Sequence, residues 1–387
     1  MTISNRSSFS KGSLTYDAAG DRVGRELAGL KELGKWISQT FNYNEIEPVL
    51  PLGYFANVLR LSTDIGLAIS TDGVGTKMLV AQALGKLDTV GIDCVAMNAN
   101  DVLCVGAKPI SMVDYIAISE IEPEILGELA KGLRDGARLA RINIPGGEIA
   151  QIREMLREDA NHGCSLDLVG TCVGTVHLQR LIVGEKIKPG DLVVGIESNG
   201  IHSNGFTLAR RALGLVGDAG ARLSEYCPEL GHTLGDELLR PTNIYVSEIL
   251  ALLESDLAIK ALIHITGDGL LNLARVDSET GYVIEGPLKP SPIFSMIRHS
   301  GNIEDAEMFR VFNMGTGFCV VTTPDDAPRV EQIVAEHGHR ASVIGYTVND
   351  PQRRIWIPPH DLVGSNHTFR TTTEKPPAYP QRTREQL

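Results

Sequence analysis

Apolar residues along this chain fall into short alternating runs, broken by turns and by stretches with helical spacing. Residues 54–61 and 67–70 read as strands that meet at a turn around Thr63 and Asp64, and the second runs on into Thr71-Asp72-Gly73-Val74-Gly75. Helices are predicted over 76–84 and 90–105, the latter closed by Gly106 with Pro109 just beyond. Residues 110–118 read as a strand. Residues 123–140 form an amphipathic helical pattern that opens with Pro and Glu, and 166–177 form a long strand. Upstream, 18–40 reads as a helix.

The segment Leu181 to Gly190 (LIVGEKIKPG) resembles a joint between domains, because the alternation restarts after it. Strands are predicted at 191–197, 259–265, 281–285, 318–323 and 342–346, with helices at 203–213 and 242–255. Helices interleaved with strands in two comparable halves predict an α/β (α+β) protein of two domains. The expected boundaries are an N-terminal segment and helix over 1–50, a first domain over 51–180, a second over 181–360 and a tail over 361–387. The tail is rich in Thr, Pro, Arg and Gln, and its composition predicts disorder.

Composition narrows the function. A chain of 387 residues with 43% hydrophobic and 22% charged residues is globular, and a net charge of −12 argues against nonspecific nucleic-acid binding. No apolar run approaches the ~20 residues of a membrane helix, so no membrane partner is expected. The six cysteines form no C-x-x-C pair, which predicts reduced thiols without a zinc site; the N-terminal dozen residues are polar. The expectation is a cytoplasmic protein.

Three constellations in the first half can carry chemistry. In Ser70-Thr71-Asp72-Gly73-Val74-Gly75-Thr76-Lys77 a carboxylate ends a strand, and two glycines, a hydroxyl and an ammonium follow at a helix start. Glycines let backbone N–H groups approach an anion, Lys77 suits a phosphate, and Asp72 suits Mg²⁺. A plain strand–turn–helix joint explains the same residues. On the helix over 90–105, Asn98 and Asp101 share a face of an otherwise apolar element. A buried carboxylate needs a partner, which a neighbouring loop or a divalent cation can supply. Gly146-Gly147-Glu148 presents a third acid from a turn at a strand end. The second half adds three polar glycine loops: Gly200-Ile201-His202-Ser203-Asn204-Gly205, His264-Ile265-Thr266-Gly267-Asp268-Gly269, and Phe312-Asn313-Met314-Gly315-Thr316-Gly317. Each can bind phosphate through backbone amides, and each can be an ordinary turn.

Taken together and in order, these stretches resemble the phosphoribosylformylglycinamidine cyclo-ligases, also called aminoimidazole ribonucleotide synthetases, in their archaeal-type branch. The matching residues are Tyr16-Asp17-Ala18-Ala19-Gly20, STDGVGTK at 70–77, the helix ending NDVLCVGA, GGE at 146–148, GIHSNG at 200–205, HITGDGL at 264–270 and FNMGTGF at 312–318. The resemblance implies a two-domain synthetase-like fold, with an N-terminal ATP-binding domain that pairs into a homodimer. It implies ATP-dependent ring closure of formylglycinamidine ribonucleotide in purine biosynthesis, with ATP and Mg²⁺ as cofactors. By the same resemblance Asp72, Asp101 and Glu148 are metal ligands, and Gly73, Gly75, Thr76, Lys77 and Asn98 lie with them at the nucleotide. His202, Asn204 and Lys77 take catalytic roles, and Ser203, Gly267, Asp268 and Gly269 meet substrate.

The chain departs from the family pattern in places. Ile149-Ala150-Gln151 follows Glu148 where many members continue with Thr-Ala-Glu, and Asp268 stands inside a loop that is elsewhere triple glycine. Two alternatives stay open at this point: another ATP-using member of the superfamily, such as thiamine-phosphate kinase, and a nonenzymatic nucleotide-binding paralogue.

Overall fold

A computed structural model describes residues 13–20, 23–156, 164–217 and 219–380. The long alternating runs of the first half become a five-stranded sheet. Its strands are β1 (Asn57–Arg60), β2 (Ile65–Gly73), β3 (Lys108–Ile118), β4 (Gly147–Gln151) and β5 (Leu166–His177), ordered β1-β2-β5-β3-β4. All neighbours are antiparallel except β3 and β4. On β5 the period of two turns Leu166, Leu168, Cys172 and Val176 inward, onto one side of the sheet.

That inner side is covered by helices. Helix α1 (Val23–Ile37) precedes the sheet, α2 (Met78–Leu84) follows β2, and α3 (Asp88–Leu103) lies across β5. Helix α4 (Pro123–Ala140) packs on α3 so closely that a Cβ on Gly132 would sit 1.8 Å from Asp88 O. Any side chain there would push α4 away from α3. Helix α1 stands apart from this packing, with Leu30 and Trp36 exposed.

The second sheet has eight strands: β6 (Leu192–Glu197), β9 (Ala261–His264), β10 (Thr280–Val283), β11 (Thr316–Thr322), β12 (Ala341–Asn349), β13 (Ile355–Ile357), β14 (Leu362–Ser365) and β15 (Thr368–Thr371). Its order is β15-β14-β13-β10-β12-β6-β11-β9, and a ribbon of β7 (Tyr226–Cys227) and β8 (His232–Thr233) lies apart. Around it run α5 (Phe206–Ala212), α6 (Gly220–Leu223), α7 (Leu234–Leu238), α8 (Val246–Glu254), α9 (Pro292–Gly301), α10 (Asp305–Val311) and α11 (Ala327–Glu336). One continuous apolar core joins both halves.

The expected disordered tail needs correction. Residues 362–371 form the antiparallel hairpin β14–β15, which extends the second sheet beyond β13. Leu362, Val363 and Phe369 are buried, and farther on the Tyr379 ring meets Tyr346 edge-on at 4.9 Å. Burying those side chains stabilises the hairpin by roughly 1.5–3 kcal/mol each. Residues 381–387 of that expectation lie outside the described residues.

Candidate active site

Helix α3 is the spine of the site. It is apolar toward α4 and the sheet, and Asp93, Asn98, Asn100 and Asp101 each meet a specific partner. Asn98 donates from Nδ2 to Asp72 O (3.1 Å) and Cys94 O (2.9 Å), which aims Oδ1 into the interior without a hydrogen-bond partner among the described residues. Asp101 meets His264 Nδ1 of β9 at 2.9 Å. Asn100 donates to Asn243 O (2.9 Å) and approaches His264 Nε2 (3.4 Å), while its Oδ1 accepts from Tyr245 N (3.0 Å). An amide NH₂ can only donate, so His264 Nε2 accepts and Nδ1 carries the proton that faces Asp101.

Asp72 lies at the end of β2, its Oδ1 accepting from Gly73 N at 2.7 Å. Burial, then the Asp101 carboxylate, pushes its pKa up to about 6. Across the sheet Asp72 is in register with Gly170 of β5, and Gly170 with Asp114 of β3. A Cβ on Gly170 would meet Asn98 Nδ2 at 2.7 Å, so glycine keeps this row open under α3. Burial also raises the Asp114 pKa. The result is a largely buried cluster of two mutually repelling carboxylates and an orphan amide oxygen, with a third acid in the same row as Asp72.

Two predicted site residues have other fates. Lys77 is wholly buried, and its Nζ is 2.7 Å from Asp93 Oδ2 and donates to His202 O (3.2 Å) and Arg240 O (2.6 Å). Three donors with three interior acceptors leave none for a phosphate. Asp93 is completed by Thr242 N (2.7 Å) and Thr242 Oγ1 (2.6 Å). Lys77 therefore fastens the first half of the chain to the second, and its reading as a phosphate or catalytic lysine is corrected. Glu148 does not join Asp72 and Asp101 either. It pairs in register with Tyr115 on the edge strand β4, exposed. Its row continues through Val169 to Gly73, three strands away, or about 14 Å at ordinary strand spacing. Among the described residues, no group of three or more His, Cys, Asp or Glu side chains is arranged to hold a metal.

The remaining predicted residues gather around the junction. Thr76 Oγ1 is 3.2 Å from Thr207 Oγ1, and Gly75 takes a φ of 69° with open space at its Cβ position. In the 200–205 loop, Ser203 Oγ is 3.4 Å from Thr242 Oγ1. Asn204 Nδ2 reaches Met97 Sδ at 3.9 Å, and its Oδ1 lies 3.6 Å from the Cβ position of Gly267. That side chain brings α3 and the Gly267-Asp268-Gly269 loop to one place. His202 is buried with a φ of 58°, and both its ring nitrogens lack partners among the described residues. Burial, then the charges of His264, Lys77 and His339, hold its pKa well below the ordinary value, so the imidazole is neutral.

Sequence reasoning passed over Asp93, Asn100, Asp114 and the pairing of His264. Asp114 had a signal, since it falls on the inward phase of β3 between Met112 and Ile116, both buried. The others depend on partners more than 140 positions away, which no local pattern carries.

The architecture and the acidic cluster define a class: the AIR-synthase-type two-domain proteins. The AIR synthase related protein N-terminal domain matches residues 53–176, and the corresponding C-terminal domain matches 188–357. The phosphoribosylformylglycinamidine cyclo-ligase of Methanothermobacter thermautotrophicus is 43% identical over 84% of this chain and 93% of the relative. Among solved structures, thiamine-monophosphate kinase from Stenotrophomonas maltophilia superposes with a TM-score of 0.57 at 18% identity, covering 83% of this chain and 94% of the kinase. T. maritima PurL complexed with ATP gives 0.50 at 16%, covering 78% of this chain and 44% of PurL. At those identities the last two show a shared fold and nothing of substrate. The chain belongs to the phosphoribosylformylglycinamidine cyclo-ligase family, a family of ATP-dependent enzymes of purine biosynthesis.

Proposed function

We propose that this enzyme closes the imidazole ring of aminoimidazole ribonucleotide from formylglycinamidine ribonucleotide, activating the formyl oxygen with the γ-phosphoryl group of ATP. The observation that carries the site assignment is the cluster of Asp72, Asp101 and the orphan Oδ1 of Asn98, in a chain of this family. An amide oxygen leaves poorly. Once it carries the phosphoryl group, an amidine nitrogen of the same molecule attacks the formyl carbon. The C–O bond then breaks, the oxygen departs within inorganic phosphate, and the nitrogen loses its proton.

The Asp72 carboxylate, whose proton affinity is raised by burial and then by Asp101, fits a hard cation together with Asp101 and the unpartnered buried carbonyl oxygen of Asn98. Asp72 and Asp101 would hold Mg²⁺ with Asn98 Oδ1 beside them, and Glu148 of the same chain lies outside that set. When bound, the ion supplies positive charge against the phosphate oxygens. His264 fixes Asp101 by donating to it, which holds that carboxylate beside Asp72. Asn204, between Met97 and Gly267, is placed to touch substrate, and the Gly267–Gly269 loop is the site we assign to the ribose phosphate. The neutral His202 imidazole keeps one bare ring nitrogen, the only one at which it can take a proton.

A homodimer through the first sheet is part of this reading. The side of that sheet facing away from α3 exposes Ile65, Val113 and Tyr115, an apolar face that a second copy would cover. The six free, buried cysteines fit a reducing compartment such as the cytoplasm. Substrate carrying ¹⁸O in its formyl group tests the chemistry: the label should appear in inorganic phosphate, one atom per ring closed. Release of the label into water would exclude activation by phosphorylation.

A further inference from the structure

The family's C-terminal domain ends its match at residue 357, yet the chain continues through Pro358–His360 into the β14–β15 hairpin. The tip of that hairpin is Asn366-His367, both left-handed with φ of 48° and 65°. It is held firmly. The Phe369 ring packs edge-on against Phe309 of α10 (6.4 Å), the His360 ring lies 4.5 Å from the same Phe309, and His360 Nδ1 meets Asp305 Oδ2 at 2.9 Å. The Gly267-Asp268-Gly269 loop leans on the same helix: Gly269 has a φ of 54°, and a Cβ there would lie 2.1 Å from Phe309 O. Helix α10 thus fixes the loop and the hairpin relative to each other. The outcome is His367 Nδ1 at 3.5 Å from Asp268 Oδ2.

Asp268 puts a carboxylate inside a loop otherwise suited to an anion. Arg310 is near enough to feel its charge, but its Nε and Nη2 go to Glu307 at 2.8 and 2.6 Å. Arg275 and Arg353 line a cavity of about 280 Å³ with Asp268 and His367. Their hydrogen bonds run to the backbone: Arg275 to Gly53 O and Tyr54 O, and Arg353 to Ala274 O and Val276 O. His367 is the side chain that faces the Asp268 carboxylate at close range.

The structure assigns His367 a positioning role for substrate. From a hairpin outside the family's common domain, it engages Asp268 and keeps that negative charge from opposing the phosphate of the ribonucleotide. This rests on the reading of the Gly267–Gly269 loop as the phosphate site. A dianion about 7 Å from an unengaged carboxylate in a water-like medium is repelled enough to weaken binding roughly five- to tenfold. His367 and Asp268 are both substantially exposed, so the smaller end of that range is expected.

A double-mutant cycle on the full-length enzyme tests this. His367→Ala should raise KM for formylglycinamidine ribonucleotide about fivefold while kcat, KM for ATP and the thermal midpoint hold. His367→Gln, which keeps a donor, should recover part of the loss. Asp268→Gly should leave KM near or slightly below the wild-type value, and adding His367→Ala on that background should not raise it. An unchanged KM in His367→Ala, or an equal rise with Asp268 already removed, overturns the proposal. Gly267→Asp separates its failure from failure of the loop assignment. If that variant raises KM while His367→Ala does not, the phosphate site stands and the His367 role falls. If neither moves KM, both fall.

Discussion

Replacing Lys77 with methionine separates a phosphate-binding lysine from one that holds two domains together. The structure gives the ammonium zero exposure, an ion pair to Asp93 at 2.7 Å and two carbonyl acceptors from the second domain. Methionine keeps most of the side-chain volume but leaves Asp93 with only its Thr242 donors and strips His202 O and Arg240 O of theirs. Breaking one partner of a buried pair costs about 3–5 kcal/mol. An unfolding entropy of roughly 2.1 cal/mol/K per residue gives ~0.8 kcal/mol/K for this chain, so the thermal midpoint should fall by about 4–6 °C. The assay pairs a thermal melt with KM for ATP at a temperature where the variant is folded. We expect the midpoint to drop while KM for ATP changes less than threefold. Loss of kcat alone decides nothing, because the His202 loop leans on the ammonium. An unchanged midpoint with a hundredfold rise in KM for ATP would refute the argument.

Other perturbations probe the acidic cluster, the junction and the hairpin. Asp72 has a native pKa raised from 3.8 to about 6, so the folded state binds its proton more tightly and stability falls as pH climbs through that window. Without ATP and Mg²⁺, Asp72→Asn should therefore raise the thermal midpoint at pH 7.5, by up to ~3 kcal/mol of stability, and the gain should vanish near pH 4. A lower midpoint at pH 7.5 would contradict this. His202→Ala should lower kcat about a hundredfold or more, the scale of a lost proton-transfer group, at temperatures where the variant is folded, alongside the modest midpoint loss expected of a truncated buried ring; a midpoint shift with normal kcat would make its role structural. Phe369→Ala should destabilise the protein by about 3–5 kcal/mol, measured by denaturant unfolding, where a disordered tail would show no change.

Local patterns made part of this molecule legible. Helix α4 and strand β5 have the limits read from sequence, because Pro123 starts one and strict alternation runs the length of the other. The ordered series of glycine and acidic loops carried the family. The β14–β15 hairpin was missed because its strands are four residues each and rich in polar side chains, with burial resting on Leu362, Val363 and Phe369. Helices α9, α10 and α11 went unassigned between the loops that drew attention. Lys77 was misread for a different reason. Asp-Gly-Val-Gly-Thr-Lys looks locally like a phosphate cradle, and only the distant Asp93, His202 and Arg240 show where its charge goes. Asp101 had no basic partner on its own helix; His264 arrives from β9 of the other domain.

The central claim is that Asp72 and Asp101 hold the metal–triphosphate end of a ring-closing reaction. The most direct measurement follows aminoimidazole ribonucleotide, ADP and phosphate from purified enzyme with formylglycinamidine ribonucleotide and ATP, titrating Mg²⁺ for the wild type and for Asp101→Asn. The account predicts equal amounts of the three products, strict dependence on Mg²⁺, and a variant that stays folded but loses turnover with a large rise in the Mg²⁺ it needs. Full turnover in Asp101→Asn at the wild-type Mg²⁺ requirement would contradict it.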